Sequence, residues 1–385
     1  MARNESLKKI AQQAASPCYL VDLALLRRNC EILRSVKQRT GCKILLALKA
    51  FAMWSVFDTV NKYLDGTTGS SINECKLGKE HFGGETHICC PAYREDEIDE
   101  IVTLVDHVMF NSLAQMELFS EKILSADRKI EIGLRINPMH AEVEVDLYNP
   151  CGPGSRLGVR PDQMPDELLP YIKGLHFHTL CEKNSDSLER TLKAVEKHFS
   201  KYFGKLDWVN FGGGHHISRP DYDVDLLCRL VTDFKNRYGT QVYLEPGEAI
   251  ALNAGYLIAE VLDIISGDIP IAILDTSAAA HMPDVIEMPY RPNVQGSGKS
   301  REKKYTYRLT GRTCLAGDVI SEYSFDEPLR VGDRLIFDDM AHYTMVKNTT
   351  FNGLNLPDIV IYDSDTGKFE VQKSFGYADF KNRLS

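Results

Sequence analysis

A lysine at the end of an apolar run is the first residue of this sequence whose position points to chemistry. Lys49 lies in KILLALKAFAMW (43–54), directly after a β-rich stretch. An ammonium among apolar side chains is costly unless it is paired or neutralised. A lysine with a depressed pKa is the nucleophile that imine formation requires. The alternative is a lysine at a strand end whose ammonium reaches solvent.

Three other groups stand at the ends of β-rich runs. His178 lies near the end of GLHFHTL (174–180). Gly212 and Gly213 end DWVNFGG (207–213), and Gly214 follows it. Glu245 begins the triplet Glu-Pro-Gly that ends QVYLEPG (241–247). In a parallel barrel the carboxyl ends of the strands lie at one face, where such enzymes place their active sites. We therefore expect these groups to lie near Lys49.

The glycines and the glutamate each suggest a part of a cofactor site. Consecutive glycines after a strand leave backbone N–H groups unobstructed, and the loops after strands seven and eight commonly hold phosphate in a barrel. A carboxylate such as Glu245, placed against a pyridine nitrogen, keeps that nitrogen protonated and strengthens the ring as an electron sink. A plain turn and a helix N-cap remain the alternatives for Gly212–Gly214 and Glu245, respectively.

Pairs of potential metal ligands do not form a metal motif. Neither Cys89–Cys90 nor His215–His216 has the spacing of a zinc site. We expect no metal.

Composition narrows the class of protein. The chain has 385 residues, 43% of them hydrophobic, with a net charge of −9. This composition is typical of a globular chain with a large core, and the negative charge without a basic stripe argues against a nucleic-acid partner. The ten cysteines are scattered, and the N-terminus has no apolar run. No apolar run is long enough to cross a bilayer. These features predict a cytoplasmic protein with no membrane association.

The pattern of the chain predicts a barrel followed by a β domain. Amphipathic segments at 112–124, 187–199 and 223–239 alternate with β-rich runs, which is typical of a TIM (β/α)8 barrel, with a doubly wound sheet as the competitor. We assign the barrel to 24–255 and a C-terminal β domain to 256–385, with 1–23 added to it. Eight β-rich runs are predicted in the barrel: 43–48, 66–71, 86–90, 107–112, 131–137, 174–180, 207–213 and 241–247.

Six motifs in order make the sequence resemble a known family. They are LALKA (46–50), HFH (176–178), FGGGH (211–215), LEPGE (244–248), GRTCLAGD (311–318) and FDDMAHYT (337–344). In this order they resemble the barrel-type pyridoxal-phosphate decarboxylases of ornithine, diaminopimelate and related amino acids, known as fold type III enzymes. The variants LEPGE, HMPDVIEMPYRP and LTGRTCLAGDV look most like the branch that acts on carboxynorspermidine and carboxyspermidine in polyamine biosynthesis.

The resemblance implies a role for each matching residue. Lys49 would hold pyridoxal 5′-phosphate as an imine, and His178 would stack on the ring. The Gly212–Gly214 loop and Tyr343 would hold the phosphate. Cys314 would come from the partner subunit of a homodimer with shared active sites and return a proton to the α-carbon.

One departure from the family bears on the substrate. Many relatives have an arginine after Glu-Pro-Gly, where this chain has Glu248. A carboxylate there removes repulsion toward a cationic carboxy-polyamine. Glu248, Asp284 and Asp318 are our candidates for an acidic lining, and an exposed, solvated carboxylate is the alternative for each.

Other functions stay open at this point. A decarboxylase of diaminopimelate, ornithine or arginine is the main alternative, and Arg291 could bind the distal carboxylate of diaminopimelate. An amino-acid racemase is disfavoured because Glu245 stands where alanine racemases have an arginine. A non-catalytic pyridoxal-phosphate-binding protein is the alternative of another class.

Overall fold

Strands and helices alternate along the first two thirds of the chain, and strands dominate the remainder. The computed structural model describes residues 2–143 and 146–385. The strands are β1 (Cys18–Asp22), β2 (Lys43–Ala47), β3 (Gly66–Gly69), β4 (Glu85–Cys89), β5 (His107–Phe110), β6 (Glu131–Arg135), β7 (Ile172–His176), β8 (Trp208–Asn210), β9 (Gln241–Leu244), β10 (Gly255–Ile265), β11 (Ile271–Leu274), β12 (Tyr305–Thr310), β13 (Val319–Phe325), β14 (Arg334–Asp338), β15 (Asp358–Asp363) and β16 (Lys368–Lys373). The helices are α1 (Ala2–Gln13), α2 (Leu23–Thr40), α3 (Phe57–Val60), α4 (Ile72–His81), α5 (Glu95–Leu104), α6 (Leu113–Leu124), α7 (Ser185–Phe203), α8 (Val224–Tyr238), α9 (Glu248–Ala251), α10 (Ala278–His281), α11 (Asp284–Glu287) and α12 (Tyr377–Lys381).

The chain divides into two compact units. One comprises residues 29–250 and the other residues 1–28 with 251–385. No α-helix within the described ranges combines the length and apolar character needed to cross a bilayer.

The unit of residues 29–250 is a closed barrel of eight parallel strands, β2 to β9 in chain order. β2 pairs with β9 and closes it, with Ile44 opposite Leu244. All eight predicted β-rich runs are strands, so the predicted barrel is confirmed. The strands end earlier than predicted: β7 at His176, β8 at Asn210 and β9 at Leu244. Lys49, His178, Gly212–Gly214 and Glu245 therefore lie on the segments that follow their strands, and Glu248 begins α9.

The alternation of strands and helices is incomplete. Between β6 and β7, the described residues 136–143 and 146–171 contain no α-helix. Prolines explain this difference, because each one lacks the N–H that a helix needs and restricts the residue before it. The segment contains six prolines: Pro138, Pro150, Pro153, Pro161, Pro165 and Pro170.

The predicted amphipathic segments form helices with clear end signals. The Ser112 side chain accepts a hydrogen bond from the Gln115 amide and caps α6. The Asp223 side chain caps α8 in the same way, and Gly239 ends that helix with a φ of 70°. These are common N-cap and C-cap choices, so the local sequence sets the helix bounds.

One tryptophan fills the middle of the barrel. Trp208 is 2% exposed and packs with Leu45, Met109 and Tyr243. Its ring lies against two neighbouring strands at Gly133 and Gly174, where a Cβ atom would come within 2.3 and 2.1 Å of it. Larger residues at those two positions would displace the indole from the barrel interior.

The second unit is built on an eight-stranded sheet. Its order is β13-β12-β11-β10-β1-β15-β16, and β14 pairs with β10. β1 lies between β10 and β15, so residues of the early segment 1–23, which we assigned to the C-terminal β domain, belong to this sheet. The sequence pattern does not indicate β13, because VISEYSF mixes polar and apolar residues without a regular period. The polar segment 291–304 contains no strand or helix.

Candidate active site

Lys49 and His178 meet at the carboxyl end of the barrel. Lys49 lies in the turn after β2, and its Nζ is 3.4 Å from Nε2 of His178. The side chain is exposed to solvent, whereas Leu48 and Ala50 are buried. The pKa of Lys49 is lowered, first because protein atoms crowd the ammonium and displace water, and then because Arg135 repels it. A larger share of neutral amine makes Lys49 a better nucleophile.

A backbone hydrogen bond selects the tautomer of His178. The Gly213 amide donates to His178 Nδ1 over 2.9 Å. Burial and the nearby cation of Lys49 hold the pKa of His178 well below its usual value, so the ring is neutral. With Nδ1 accepting, the single ring proton is on Nε2 and faces Lys49.

Glu245 is a buried carboxylate held from two neighbouring strands. Its Oε1 accepts from Asn210 over 2.8 Å, and its Oε2 lies 3.2 Å from His176 Nε2. Burial alone would raise the pKa of Glu245, but His176 and Asn210 bring it down to about 2. Glu245 is therefore ionised at neutral pH, and its oxygens have fixed orientations.

Close packing also explains why residues 212–214 are glycines, in addition to the predicted phosphate binding. Cβ atoms at Gly212, Gly213 and Gly214 would meet backbone oxygens at 2.3, 2.5 and 2.0 Å. Two of the three amides are used internally: that of Gly212 donates to Asn210, and that of Gly213 donates to His178. The expectation of three unobstructed N–H groups is therefore wrong for two of them. Within the described residues, the Gly214 amide has no acceptor.

Glu248 is paired inside the barrel unit. Its Oε2 is 3.1 Å from His216 Nε2, and both side chains are nearly buried. Glu248 and Glu245 are close enough to Lys49 for their charges to raise the pKa of the lysine, against the effect of the protein atoms that crowd its ammonium. Glu248 is thus not a solvated surface carboxylate.

Four residues that sequence reasoning missed end barrel strands. Cys89 ends β4, Arg135 ends β6, His176 ends β7 and Asn210 ends β8. His176 and Asn210 contact Glu245 directly, and Cys89 Sγ is 3.9 Å from His176 Nδ1. The predicted runs extend beyond all four residues, so the available signal was only a polar side chain or thiol within a β-rich run; the structure shows that each one ends its strand and faces the same edge as its neighbours.

In the sheet unit, Cys314 is exposed on a loop that Asp318 holds in place. The Asp318 carboxylate is 3% exposed and accepts from Ser277, from the Ala279 amide, and from both the amide and the hydroxyl of Thr313. The Cys314 amide donates to Asn352 Oδ1 over 2.7 Å. These contacts give Asp318 a positioning role in the loop GRTCLAGD.

The other two predicted residues of this unit lie on different segments. Tyr343 follows β14 and has a φ of 52°, a conformation that few non-glycine residues adopt. Such strain persists only where surrounding structure enforces it and is concentrated at functional sites. Asp284 forms an ion pair with Lys347, which also binds Glu287.

A polar cluster lies at the opposite, amino-terminal end of the barrel. Ligand atoms of Glu85, His87 and His107 lie within 4.8 Å of one another and could hold a metal ion. Lys43 binds the Glu85 carboxylate, and the hydroxyl of Tyr243 donates to it over 3.0 Å. Because Glu85 is engaged by these internal partners, we assign no metal here, and the absence of a metal stays a prediction.

Comparisons with known proteins agree with this geometry. The family model of pyridoxal-dependent decarboxylases, described by their C-terminal sheet domain, matches residues 18–341. The chain is 45% identical, over 97% of its length and 99% of the relative, to a carboxynorspermidine/carboxyspermidine decarboxylase of Campylobacter jejuni. It is 43% identical, over 96% of its length and 95% of the relative, to a carboxyaminopropylagmatine decarboxylase of Synechocystis.

A solved structure is similar over nearly the same length. The crystal structure of Campylobacter jejuni carboxynorspermidine decarboxylase with norspermidine matches with a TM-score of 0.89 and 45% identity, covering 96% of this chain and 100% of that one. The donor set of the barrel suits pyridoxal 5′-phosphate, because it combines a nucleophilic lysine, a neutral imidazole and an ionised carboxylate for a pyridine nitrogen. The chain therefore belongs to the pyridoxal-dependent decarboxylase family, and its cofactor is pyridoxal 5′-phosphate.

Proposed function

We propose that this protein decarboxylates carboxynorspermidine and carboxyspermidine to norspermidine and spermidine. The observation that carries the proposal is the full-length 45% identity to the Campylobacter jejuni enzyme with that substrate name. The related structure that contains norspermidine supports a polyamine product.

Lys49 is the proposed attachment point of the cofactor. Pyridoxal phosphate, when bound, supplies an aldehyde that condenses with amines and a ring that accepts the electron pair of the breaking C–CO2 bond. Lys49 supplies a depressed pKa and a solvent-exposed Nζ beside the Nε2–H of His178. In our proposal His178 then covers one face of the ring as a neutral imidazole.

Glu245 is the proposed partner of the ring nitrogen. Its carboxylate is ionised, buried and oriented by Asn210 and His176. A fixed anion stabilises a protonated pyridine more strongly than a solvated one, because little water screens it. The Gly214 amide and Tyr343 are our candidates for binding the phosphate. Glu248, which pairs with His216, stands at the position where many relatives have an arginine after Glu-Pro-Gly.

Cys314 is the proposed proton donor to the α-carbon after CO2 leaves. Its exposure and the Asp318-anchored loop support a residue presented outward, as in a homodimer whose partner subunit completes each site. Replacing it with alanine should slow amine formation by about 10²–10⁴-fold, the usual range for a general acid. The cofactor should stay bound.

The acidic lining is revised by the contacts of its three members. Glu248 is the strongest candidate for a substrate amine, because it lies in the barrel unit and acts electrostatically on Lys49. Asp318 has all its contacts within the sheet unit and serves as a positioning residue. Asp284 shares Lys347 with Glu287, so the cluster keeps one net negative charge that can attract an ammonium.

The contacts of Arg291 weaken the alternative in which this residue binds the distal carboxylate of diaminopimelate. Arg291 donates to the backbone oxygens of Glu322 and Gly298, at 3.0 and 2.7 Å, and stacks over the Tyr323 ring. A guanidinium with these partners is less available to a distal carboxylate. Carboxyaminopropylagmatine is the second candidate substrate, because its decarboxylase in Synechocystis is 43% identical to this chain.

We also propose the boundaries and setting of the working enzyme. The barrel domain is 24–255, and the β domain is 256–385 with 1–23. The protein acts in the cytoplasm as a homodimer, for which the ten free cysteines and the exposed Cys314 loop are the supporting features.

A substrate panel tests the proposed function. The purified protein is incubated separately with carboxynorspermidine, carboxyspermidine, carboxyaminopropylagmatine, diaminopimelate, ornithine and arginine, and the amine products are identified by mass spectrometry. We expect kcat/KM to be at least about tenfold higher for the first two, as one lost charge-assisted contact predicts. A preference for carboxyaminopropylagmatine, with its planar guanidinium, would replace our assignment by the second candidate.

Matched variants locate the substrate contact. Glu248→Gln should lower kcat/KM for carboxynorspermidine by about 10–150-fold, the value of one charge-assisted hydrogen bond. Asp284→Asn serves as the comparison and should have a smaller effect. Full kcat/KM in both variants would contradict the acidic lining.

A further inference from the structure

A continuous set of hydrogen-bonded groups extends from Cys89 to the glycine loop. Cys89 Sγ is 3.9 Å from His176 Nδ1, and His176 Nε2 is 3.2 Å from Glu245 Oε2. Asn210 donates to the other oxygen of Glu245 and accepts from the Gly212 amide. The proposed mechanism uses His176 and Asn210 to orient Glu245, but it gives Cys89 no role and does not assign a charge to His176.

The carboxylate decides where His176 carries its proton. An ionised carboxylate can only accept hydrogen bonds, so Nε2 of His176 must carry a proton toward Glu245. His176 Nδ1 then faces Cys89 either as an acceptor or as a second N–H donor. The side chain of His176 is 3% exposed, so little water competes for either nitrogen.

The surroundings favour a charged pair. Burial would raise the pKa of Cys89, but His176 and then Arg135 lower it. Burial would lower the pKa of His176, but Cys89 and Glu245 raise it to about 9. Other ionisable groups also act on this cluster. His87 favours an ionised Glu245. Lys49 interacts electrostatically with Glu245 and Cys89, Tyr93 with Cys89, and His178 with His176.

The charge on Cys89 matters for Glu245. A cationic His176 alone would cancel the charge of Glu245 and weaken its hold on a protonated pyridine. A thiolate at Cys89 restores one net negative charge to the three side chains together. The cation of His176 is then compensated from the side away from Glu245.

We propose that Cys89 and His176 form a buried thiolate–imidazolium pair that positions Glu245 and keeps its negative charge available to the ring nitrogen of the cofactor. This inference rests on the proposed role of Glu245. Cys89 and His176 are positioning residues, since they act through Glu245.

The test compares variants of the full-length holoenzyme. Cys89→Ser removes the ionisable thiol with little change in size, and His176→Ala removes the donor to Glu245. His176→Gln restores a neutral donor and should recover cofactor affinity in part. Cys90→Ser is the matched control, because the Cys90 thiol contacts the Ala92 carbonyl instead of His176.

Two readouts other than activity decide the outcome. The first is the pH titration of the visible absorbance of the bound cofactor, whose midpoint should fall by about one pH unit in Cys89→Ser if one compensating charge is lost. The second is cofactor affinity, which should fall about tenfold in His176→Ala, the value of one hydrogen bond to a charged group. Cys90→Ser should leave both unchanged.

An ultraviolet difference spectrum tests the thiolate directly. The spectrum of the wild type minus that of Cys89→Ser should show thiolate absorbance at neutral pH. The spectrum of His176→Ala minus that of the double variant with both His176→Ala and Cys89→Ser should not show it. Absence of that absorbance in the first spectrum, or an unchanged cofactor titration in both Cys89→Ser and His176→Ala, would overturn the proposal.

Glu245→Gln separates this inference from the function on which it rests. If Glu245→Gln shifts the cofactor titration and the Cys89 and His176 variants do not, only the ion pair is wrong. If Glu245→Gln also leaves the titration unchanged, the proposed role of Glu245 is wrong, and the inference that rests on it is wrong as well.

Discussion

Replacing Asp318 by asparagine tests whether this residue holds the Cys314 loop or contacts substrate. In the native loop, Oδ2 accepts from the Ser277 hydroxyl at 2.9 Å and from the Thr313 amide and hydroxyl at 3.1 and 2.7 Å. Oδ1 accepts from the Ala279 amide at 3.2 Å. An asparagine oxygen can replace only one of these two atoms, and its NH2 group would face a donor at the other.

The expected cost follows from counting these contacts. Three charge-assisted hydrogen bonds become neutral, each losing about 1 kcal/mol, and one donor is left without an acceptor at about 1–3 kcal/mol. Relief from burying a charge offsets part of this sum. We expect a net loss of about 2–4 kcal/mol in the free energy of unfolding, or roughly 2–5 °C in the melting temperature of a chain of this length.

The assay is thermal and urea unfolding of the holoenzyme, with the alkylation rate of Cys314 as a local readout. Cys314 should react faster in Asp318→Asn, because its loop loses its anchor. Thr313→Ser is the control, since it keeps both the amide and the hydroxyl at that position. Unfolding unchanged within about 0.5 kcal/mol, the scatter of ordinary surface substitutions, would refute the positioning role. A raised KM with unchanged stability would instead restore Asp318 to the substrate-binding residues.

The remaining predictions concern the lysine, the shared site and acid stability. Lys49→Ala should abolish turnover and the absorbance of covalently held cofactor, and near-normal decarboxylation by this variant would end that assignment. Mixing Lys49→Ala with Cys314→Ala should restore about a quarter of the activity, since random exchange gives half heterodimers with one intact site; no recovery despite demonstrated exchange would place both residues in one chain. Burial, then His87, lowers the pKa of His107 to about 2. The pKa of this histidine in the unfolded chain is about 6.5, so below that pH the unfolded chain binds a proton that the native chain does not. The free energy of unfolding therefore decreases as the pH is lowered, by up to about 1.4 kcal/mol per pH unit. Urea unfolding from pH 6.5 to 5 should show a shallower dependence in His107→Asn, and equal slopes would contradict this.

Periodicity and strand-end position predicted the frame of the protein and part of its site. The eight barrel runs and the three helices were readable because their patterns are local. Lys49, His178 and Glu245 were placed at one edge because the carboxyl ends of parallel strands converge there. The predicted runs 174–180 and 207–213 extend beyond His176 and Asn210, so only the structure shows that these two residues also end their strands.

The resemblance supplied what local patterns do not carry. The roles expected for Tyr343 and Cys314 came from the order of the motifs, since a tyrosine and a cysteine in loops have no periodic signal. The missed strand β13 shows the same limit, because its irregular pattern becomes a strand only through pairing with β12.

The sequence by itself therefore determined which residue types stand where strands end, and hence the barrel and its lysine, imidazole and carboxylate. Only the tertiary structure decided their partners: His176 and Asn210 for Glu245, His216 for Glu248, and Thr313 with Ser277 for Asp318. The physical reason is that periodicity fixes the face on which a side chain lies. Its hydrogen-bond partner depends on the register between strands and on loops that are distant along the chain.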